Sequence, residues 1–205
     1  MPVILKSQRA VYLAPLTSFY NKAGGEFPEV AFIHGEAMPE PYKHLLVHHS
    51  DMTPRLQDFH RTPLALEVMA LEIEEPVLTR EVILRRGGDQ RPVEFGAIQI
   101  HLNLLPPNVA QPVREAKRPL GGILGEEKFE HLSAPRGYFR TRADALMGKL
   151  LGATFGETLY GRCNVLALMN GKVFAEIVEI LPPTEGTDGP SQSYLFSNHD
   201  PSQPV

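Results

Sequence analysis

The chain has 205 residues and a formal net charge of −4 at pH 7, with 20 Lys and Arg residues against 24 Asp and Glu residues. This length fits one domain, and the acidic balance excludes the basic surface that is typical of nucleic-acid binding. A single cysteine excludes an internal disulfide, and no apolar run is long enough for a secretory signal or a membrane span. We therefore expect a cytoplasmic protein with no nucleic-acid or membrane partner.

The first sixty residues contain few strong signals. Residues 10–16 and 29–33 could each form a short strand or a short helix, and Met38-Pro39-Glu40-Pro41 is typical of a turn. A short helix is then predicted, with Thr53 as its N-cap and Pro54 at its first position, ending near residue 60.

The middle of the chain predicts a hairpin followed by helices. Residues 77–85 and 92–104 have the composition of strands and are separated by a glycine-containing loop. A helix is expected at residues 108–117, and a second one at residues 142–151, with Thr141 as its cap and Gly152 closing it.

The last predicted elements are strands at residues 160–169 and 172–181, which flank Asn170-Gly171. Asn-Gly between two strands is a strong signal for a tight hairpin. Antiparallel hairpins with helices between them favour an α+β fold, in which helices pack around an antiparallel sheet. We expect one domain over residues 1–183, with its core at residues 51–183. The Gly-, Pro- and Ser-rich residues 184–205 are expected to form a flexible tail.

Glu179 is the first candidate functional residue, because it lies in an apolar strand. Alternation along the strand places it on one face with Val173, Ala175, Ile177 and Leu181. A carboxylate on an apolar face must be neutralised, hydrogen-bonded or reserved for a ligand, because burying an unpaired charge is costly. Glu176, on the opposite face, is a competing candidate.

Arg80 is the second candidate, because it shares the apolar face of its strand with Leu78, Val82 and Leu84. A guanidinium in such a place is suited to a bidentate bond with a carboxylate. That carboxylate could belong to a ligand. It could equally belong to Glu179, in a buried ion pair that binds nothing.

Three other features do not predict a site. The glycine-rich residues 119–125 lack the pattern of a nucleotide loop, although they could form a flexible flap. His44, His48 and His49 lack a recognisable metal motif, so no metal site is expected. Cys163 lies on the apolar side of its strand, where a small buried cysteine is common.

Five short motifs follow one another along residues 50–183. They are Ser50-Asp51-Met52-Thr53, Thr79-Arg80-Glu81-Val82-Ile83-Leu84, Arg118-Pro119-Leu120-Gly121, Tyr160-Gly161-Arg162 and Glu179-Ile180-Leu181-Pro182-Pro183. Their order and approximate spacing resemble the chorismate pyruvate-lyase family. The resemblance implies an antiparallel sheet with a buried ligand pocket beneath flap segments. It also implies a carbon–oxygen lyase that converts chorismate, or a similar cyclic carboxylate, to 4-hydroxybenzoate and pyruvate without metal or organic cofactor.

The same resemblance assigns roles to individual residues. Arg80 and Glu179 would be catalytic, with Arg80 on the ring carboxylate and Glu179 at the ring hydroxyl as a proton donor or relay. The substrate-binding residues would be Met52, Thr53, Leu120, Gly121 and Arg162. On the residue pattern alone, Arg162 lies on the polar side of its strand and could be solvated.

Two other functions remain open from the sequence. The same superfamily fold also serves as a non-catalytic, effector-sensing module, in which Arg and Glu would only bind a small aromatic acid. The chain shows no basic helical pair before residue 50, so such a sensor would be free-standing. The third interpretation is a structural domain in which Arg80 and Glu179 pair with each other.

Overall fold

A computed structural model describes residues 6–184, which contain six α-helices and seven strands. The helices are α1 Lys6–Lys22, α2 Tyr42–Leu46, α3 Met52–His60, α4 Pro107–Glu115, α5 Leu120–Glu126 and α6 Ala145–Leu151. The strands are β1 Val30–Ile33, β2 Leu64–Glu74, β3 Val77–Arg86, β4 Pro92–His101, β5 Leu132–Arg142, β6 Thr158–Ala167 and β7 Val173–Leu181. The predicted tail, residues 184–205, lies outside this range except for Thr184.

The described strands form one sheet in the order β1-β5-β6-β7-β4-β3-β2, and every neighbouring pair is antiparallel. The predicted α+β fold with an antiparallel sheet is confirmed. Both predicted hairpins form, as β3–β4 and β6–β7, because the alternation of apolar side chains and the turn residues agree at these places. None of the described helices is long and apolar enough to cross a membrane.

Alternating side chains along the strands give the sheet two apolar faces. The first face carries Ile83, Phe95, Val178 and Ile180 and is covered by α1 and α6. The second face is covered by α2 and α3 at one end and by α4 and α5 at the other. Because helices cover both faces, the central strands are buried on both sides, and charged side chains on them are shielded from water.

Helix α1 was not predicted from the sequence. Leu13, Leu16 and Tyr20 are buried at helical spacing against the first sheet face. Pro15 inside the helix and the exposed Val11 obscure this pattern in the sequence. The first fifty residues therefore supply two helices, α1 and α2, and the edge strand β1 to the domain.

Two predicted helix caps are wrong by a few residues. Helix α3 begins at Met52, with Asp51 at the N-cap position rather than Thr53. Helix α6 is capped by Asp144, whose Oδ1 accepts a hydrogen bond from the Met147 amide at 2.7 Å. Thr141, the predicted cap, lies instead in β5.

The glycine-rich segment forms α5 rather than the expected flap. Its buried residues Leu120, Ile123 and Leu124 pack against the second sheet face, and this tertiary packing outweighs the low helix propensity of glycine. At Gly121 a β-carbon would lie 3.2 Å from Oγ1 of Thr53. The absence of a side chain there lets α5 approach the start of α3 closely.

Candidate functional site

A cavity of about 60 Å³ lies between the second sheet face and the N-terminal ends of α3 and α5. This volume is enough for about four to six ordered water molecules, which corresponds to a small organic acid. Strands β3, β4, β6 and β7 form one wall, and the two helices form the other. The residues that line the cavity include Asp51, Met52, Thr53, Arg80, Glu94, Gly96, Leu120, Gly121, Asn164 and Glu179.

Arg80 brings a buried cation to this cavity. Arg80 is 2% exposed. Burial lowers the pKa of Arg80 to about 10, so the guanidinium stays protonated at neutral pH. Nη1 makes a long contact of 3.5 Å with the Arg118 carbonyl, and Nε has no partner among the residues that the structure describes. Between residues 6 and 184, no carboxylate lies within ion-pair distance of Arg80. The alternative of an Arg80–Glu179 ion pair is therefore wrong.

Glu179 is buried at the same cavity, at 4% exposure, but its carboxylate has a partner on the neighbouring strand. In the sheet register it stands directly opposite Arg162 of β6 on one side and Gly96 of β4 on the other. Arg162 Nε donates a hydrogen bond to Oε2 of Glu179 in a fully buried ion pair. Glu179 is thus a fixed wall of the cavity.

Arg162 is completely buried, so the interpretation of a solvated side chain is wrong. Helix α2 and the segment after it cover this side of β6, and their carbonyl groups accept the remaining guanidinium hydrogens. The acceptors are the carbonyl oxygens of Leu46, His48 and Ser50, each at 3.4 Å. Arg162 lies behind Glu179 and is not among the residues that line the cavity.

Glu176, the competing candidate, lies on the other side of β7. It is half-buried and borders a separate cavity beside Tyr12 of α1, together with Arg136 and Cys163. Glu179, and not Glu176, therefore shares a cavity with Arg80.

Glu94 is a cavity residue that the sequence reasoning missed. It is 5% exposed at the start of β4, and its Oε2 has no hydrogen-bond partner within the described part of the chain. Burial raises the pKa of Glu94 well above its ordinary value, and the charge of Glu179 raises it further, while Arg162 opposes the shift. Glu94 shares a strand face with Gly96 and Ile98, so the alternation test that singled out Glu179 would have found it.

Gly96 creates the space for these groups. It lies between Glu179 and Val82 in the sheet register, at the centre of the cavity wall. A β-carbon on Gly96 would lie 3.0 Å from Oε1 of Glu94. A larger residue would therefore displace the carboxyl group of Glu94.

Asn164 adds a polar atom on β6. Its Nδ2 donates to Oγ of Ser133 at 3.0 Å, and that hydroxyl donates to the Ser50 carbonyl at 3.4 Å, which fixes the orientation of the amide. Oδ1 of Asn164 has no partner in the described part of the chain. One cavity is thus lined by three residues that each have a buried polar atom without a hydrogen-bond partner in the described part of the chain. These residues are Arg80, Glu94 and Asn164. Such groups are rare in proteins unless water or a ligand completes them.

The structure also places Met52, Thr53, Leu120 and Gly121 at the cavity. Met52 and Thr53 open α3, and Leu120 and Gly121 open α5. All four stand opposite the sheet wall that carries Arg80, so these sequence-predicted residues are brought together in one place.

The His48 ring packs against the guanidinium of Arg162 in the Arg162–Glu179 ion pair, with Nη1 of Arg162 at 3.3 Å from both ring nitrogens. Burial, followed by the charge of Arg162, lowers the pKa of His48 to about 4, so the ring is neutral at pH 7. Nε2 lies 2.7 Å from the Leu45 carbonyl, and Nδ1 accepts from the Ser50 amide at 3.2 Å. A neutral ring with its proton on Nε2 satisfies both contacts. Within residues 6–184, no group of three or more His, Cys, Asp or Glu side chains is arranged to hold a metal ion.

Asp51 and His131 form a second ionisable pair at the edge of the cavity. His131 Nε2 lies 3.0 Å from Oδ1 of Asp51, and this contact raises the pKa of His131. The Asp51 side chain makes no capping bond to α3. It instead ties the start of α3 to the segment that precedes β5.

Comparisons with solved structures support the fold. PhnF from Mycobacterium smegmatis matches with a TM-score of 0.50 and 12% identity, over 66% of this chain and 65% of that chain. The effector domain of PhnF matches with a TM-score of 0.49 and 14% identity, over 65% of this chain and 88% of that domain. A transcriptional regulator of the GntR family from Bacillus cereus matches with a TM-score of 0.43 and 13% identity, over 58% of this chain and 92% of that chain.

The chain spans less than two thirds of the length of PhnF, and 64% of the length of YydK from Bacillus subtilis. No protein-family profile and no curated protein matches the sequence. At these identities the similarity to PhnF shows the fold alone.

The prediction of a lyase needs correction. PhnF, with which the chain shares its fold at a TM-score of 0.50, and the effector domain of PhnF are described without any lyase activity. The site geometry is consistent with this correction, because the carboxylate assigned to proton transfer is held by Arg162. What the chain shares with PhnF is the antiparallel α+β fold.

Proposed function

We propose that this chain is a small-molecule-binding, effector-sensing module whose ligand is a small carboxylic acid. The observation that carries the proposal is Arg80, a buried guanidinium that lines a cavity and has no carboxylate partner in the described part of the chain. A carboxylate ligand would supply the missing charge and accept from Nε and Nη of Arg80.

A purely structural role for Arg80 explains less. A buried cation that only maintains the fold is normally paired, because leaving it unpaired costs stability. Arg162 illustrates the paired arrangement, with one carboxylate and three carbonyl acceptors around its guanidinium. Arg80 has one long contact to a carbonyl and an open cavity instead.

The apolar side chains and the charges of the cavity lining favour small acids with one carboxylate. Leu120 and Met52 provide apolar contacts opposite the sheet, while the Arg162–Glu179 pair is already neutral as a unit. Arg80 is therefore the one cation of the described cavity lining, and it has no carboxylate partner among the described residues. We expect small monocarboxylates to bind better than dicarboxylates, because a second negative charge would have no cation to pair with.

Isothermal titration calorimetry with a panel of acids tests this function. The panel is benzoate, 4-hydroxybenzoate, hexanoate, succinate and chorismate, at pH 7. We expect at least one monocarboxylate to bind, and Arg80→Met to weaken that binding about ten- to a hundredfold, because hydrogen bonds to a charged group contribute about 1.5–3 kcal/mol.

Arg140→Met is the matched control, because Arg140 is an exposed arginine on β5 that does not line the cavity. It should leave the affinity unchanged. The proposal is contradicted if no acid in the panel binds, or if Arg80→Met and Arg140→Met bind the acids equally well.

A further inference from the structure

We propose that Glu94 is a ligand-binding residue, which donates a hydrogen bond from a neutral carboxylic acid to an oxygen of the bound acid. The ligand class is then a small carboxylic acid with a second oxygen, a hydroxyl or a carbonyl, at the end remote from its carboxylate. This inference rests on the proposed function and adds the second point of recognition.

The sheet register gives the separation between Glu94 and Arg80 along the wall of the cavity that the strands form. Arg80 of β3 is paired with Ile98 of β4, and Glu94 lies four residues from Ile98 along the same strand. At about 3.3 Å per residue, this offset is about 13 Å along the strand. Both side chains nevertheless line the same cavity, so they approach it from two ends. A ligand that pairs with Arg80 extends towards Glu94.

Gly96 occupies the middle of this interval. The carboxyl group of Glu94 reaches over Gly96, since a β-carbon there would lie 3.0 Å from Oε1 of Glu94. The neighbour of Gly96 across the sheet, Glu179, is held by Arg162. Gly96 and Val82 line the cavity between the two backbone positions, so the Glu94 carboxyl lies nearer to the level of Arg80 than the offset of the two residues along the strand indicates. This arrangement leaves room for the body of a small acid.

The charges around Glu94 favour its neutral form. Glu179 on β7 raises its pKa, Arg162 on β6 lowers it, and burial has the largest effect, in the direction of a higher pKa. Arg80 on β3 and Asp51 at the start of α3 are the other charged groups that line the cavity. Arg162 is already bonded to Glu179, and its lowering of the Glu94 pKa is the smallest of the three effects.

A neutral carboxylic acid has one O–H donor. Oε2 of Glu94 has no partner among the described residues, so no described protein group accepts from this donor. A ligand oxygen that accepts from the Glu94 O–H group gives Glu94 the hydrogen-bond partner that it lacks. In the same binding event, the ligand carboxylate gives Arg80 its partner. The two unsatisfied groups thus define a donor at each end of the ligand, one charged and one neutral.

The test compares two pairs of probes that share a carboxylate and differ in a distal hydroxyl. They are benzoate with 4-hydroxybenzoate, and hexanoate with 6-hydroxyhexanoate, titrated calorimetrically into wild type, Glu94→Leu and Glu94→Gln. For the pair whose length fits, the wild type should prefer the hydroxylated acid about tenfold. Glu94→Leu should abolish the preference and leave Arg80-dependent binding of the plain acid in place.

Glu94→Gln and Glu81→Leu serve as controls. The amide of Gln keeps an N–H donor, so part of the preference should remain. Binding to the wild type should weaken as pH rises and Glu94 ionises, whereas binding to Glu94→Gln should not. Glu81 is a buried carboxyl on the next strand that faces α1, so its substitution should leave the preference intact.

Infrared difference spectroscopy provides a readout that needs no ligand. The difference between wild type and Glu94→Gln at pH 7 should contain the carbonyl band of a protonated carboxylic acid, and the hydroxylated probe should shift that band. A carboxylate band in its place would overturn the inference, as would a hydroxyl preference that survives in Glu94→Leu. If acids bind through Arg80 and this preference survives, only the role of Glu94 fails. If none of the acids binds, the proposed function fails and this inference fails with it.

Discussion

Arg162 and Glu179 stand directly opposite each other on neighbouring strands and form a fully buried ion pair, while Arg80 faces the same cavity with no carboxylate partner among the described residues. One arginine is therefore part of the scaffold and the other is available to a ligand. This division underlies the proposed binding of a carboxylic acid, and the two arginines should respond in opposite ways to the same substitution.

Arg162→Met should destabilise the protein by about 3–5 kcal/mol, because it leaves the Glu179 carboxylate buried without its partner. The free energy of unfolding in urea measures the effect. The double variant Arg162→Met/Glu179→Leu should recover most of the loss, since it removes both charges. A double variant as unstable as the single one would contradict this account of the pair.

Arg80→Met should stabilise the ligand-free protein by roughly 1–3 kcal/mol, because burial already lowers the pKa of Arg80 to about 10 and no carboxylate offsets that cost. The midpoint of urea unfolding should rise, while the affinity for carboxylates falls. This combination is typical of a binding residue that is retained at the expense of stability. A variant that loses stability would show instead that Arg80 supports the fold.

The His48 ring should make stability depend on pH under mildly acidic conditions. Its pKa in the folded protein is lowered to about 4, against an ordinary value of 6.5, so the unfolded chain binds a proton at a higher pH than the folded protein does. The contribution of the neutral ring is fully present above about pH 6.5 and is lost as the pH falls towards 4.

His48→Gln tests this dependence through urea unfolding at several pH values. The variant should have a smaller decrease in stability between pH 6.5 and pH 4 than the wild type. Equal slopes in the two proteins would mean that His48 does not contribute to acid sensitivity in this range.

Gly161→Ala should destabilise the protein by roughly 3 kcal/mol. A β-carbon at Gly161 would lie 2.5 Å from the Glu179 carbonyl oxygen and 2.5 Å from Cζ of Phe139, and backbone atoms of a central strand cannot move away cheaply. Thermal unfolding measures the loss.

Gly122→Ala is the matched control for Gly161→Ala. Within the described structure nothing lies within 4 Å of a β-carbon at Gly122, which sits in α5, so Ala there should be neutral or stabilising through its higher helix propensity. If the two variants unfold at the same temperature, the close packing of Phe139 over Gly161 is not a determinant of stability.

The sequence predicted those parts of the fold in which local signals agree with tertiary packing. Asn170-Gly171 and the alternation on either side of it predict the β6–β7 hairpin. The same alternation places Glu179 and Glu176 on opposite faces of β7, and the structure shows that the face of Glu179 is the one at the cavity. Arg80 was found in the same way. These residues are informative because a period of two is a local property of a strand.

The other features depend on contacts that no local pattern contains. Arg162 looked solvated because its strand neighbours are polar, yet α2 and the segment after it cover that side. Helix α5 contains glycines and forms because its apolar residues pack on the sheet. The expectation of a lyase relied on the carboxylate of Glu179 being available to a substrate, and the register of β6 against β7 pairs it with Arg162 instead.

The most direct test of the account is the NMR signal of the Arg80 Nε–H group, identified by its absence from the spectrum of Arg80→Met. We predict that this signal moves progressively and saturably as benzoate or 4-hydroxybenzoate is added at pH 7, because Nε gains the carboxylate partner that the ligand-free protein lacks. The Arg162 Nε–H signal should stay in place, since that group remains bonded to Glu179. An Arg80 signal that does not move while either acid binds would contradict the proposal that Arg80 is the carboxylate-binding residue.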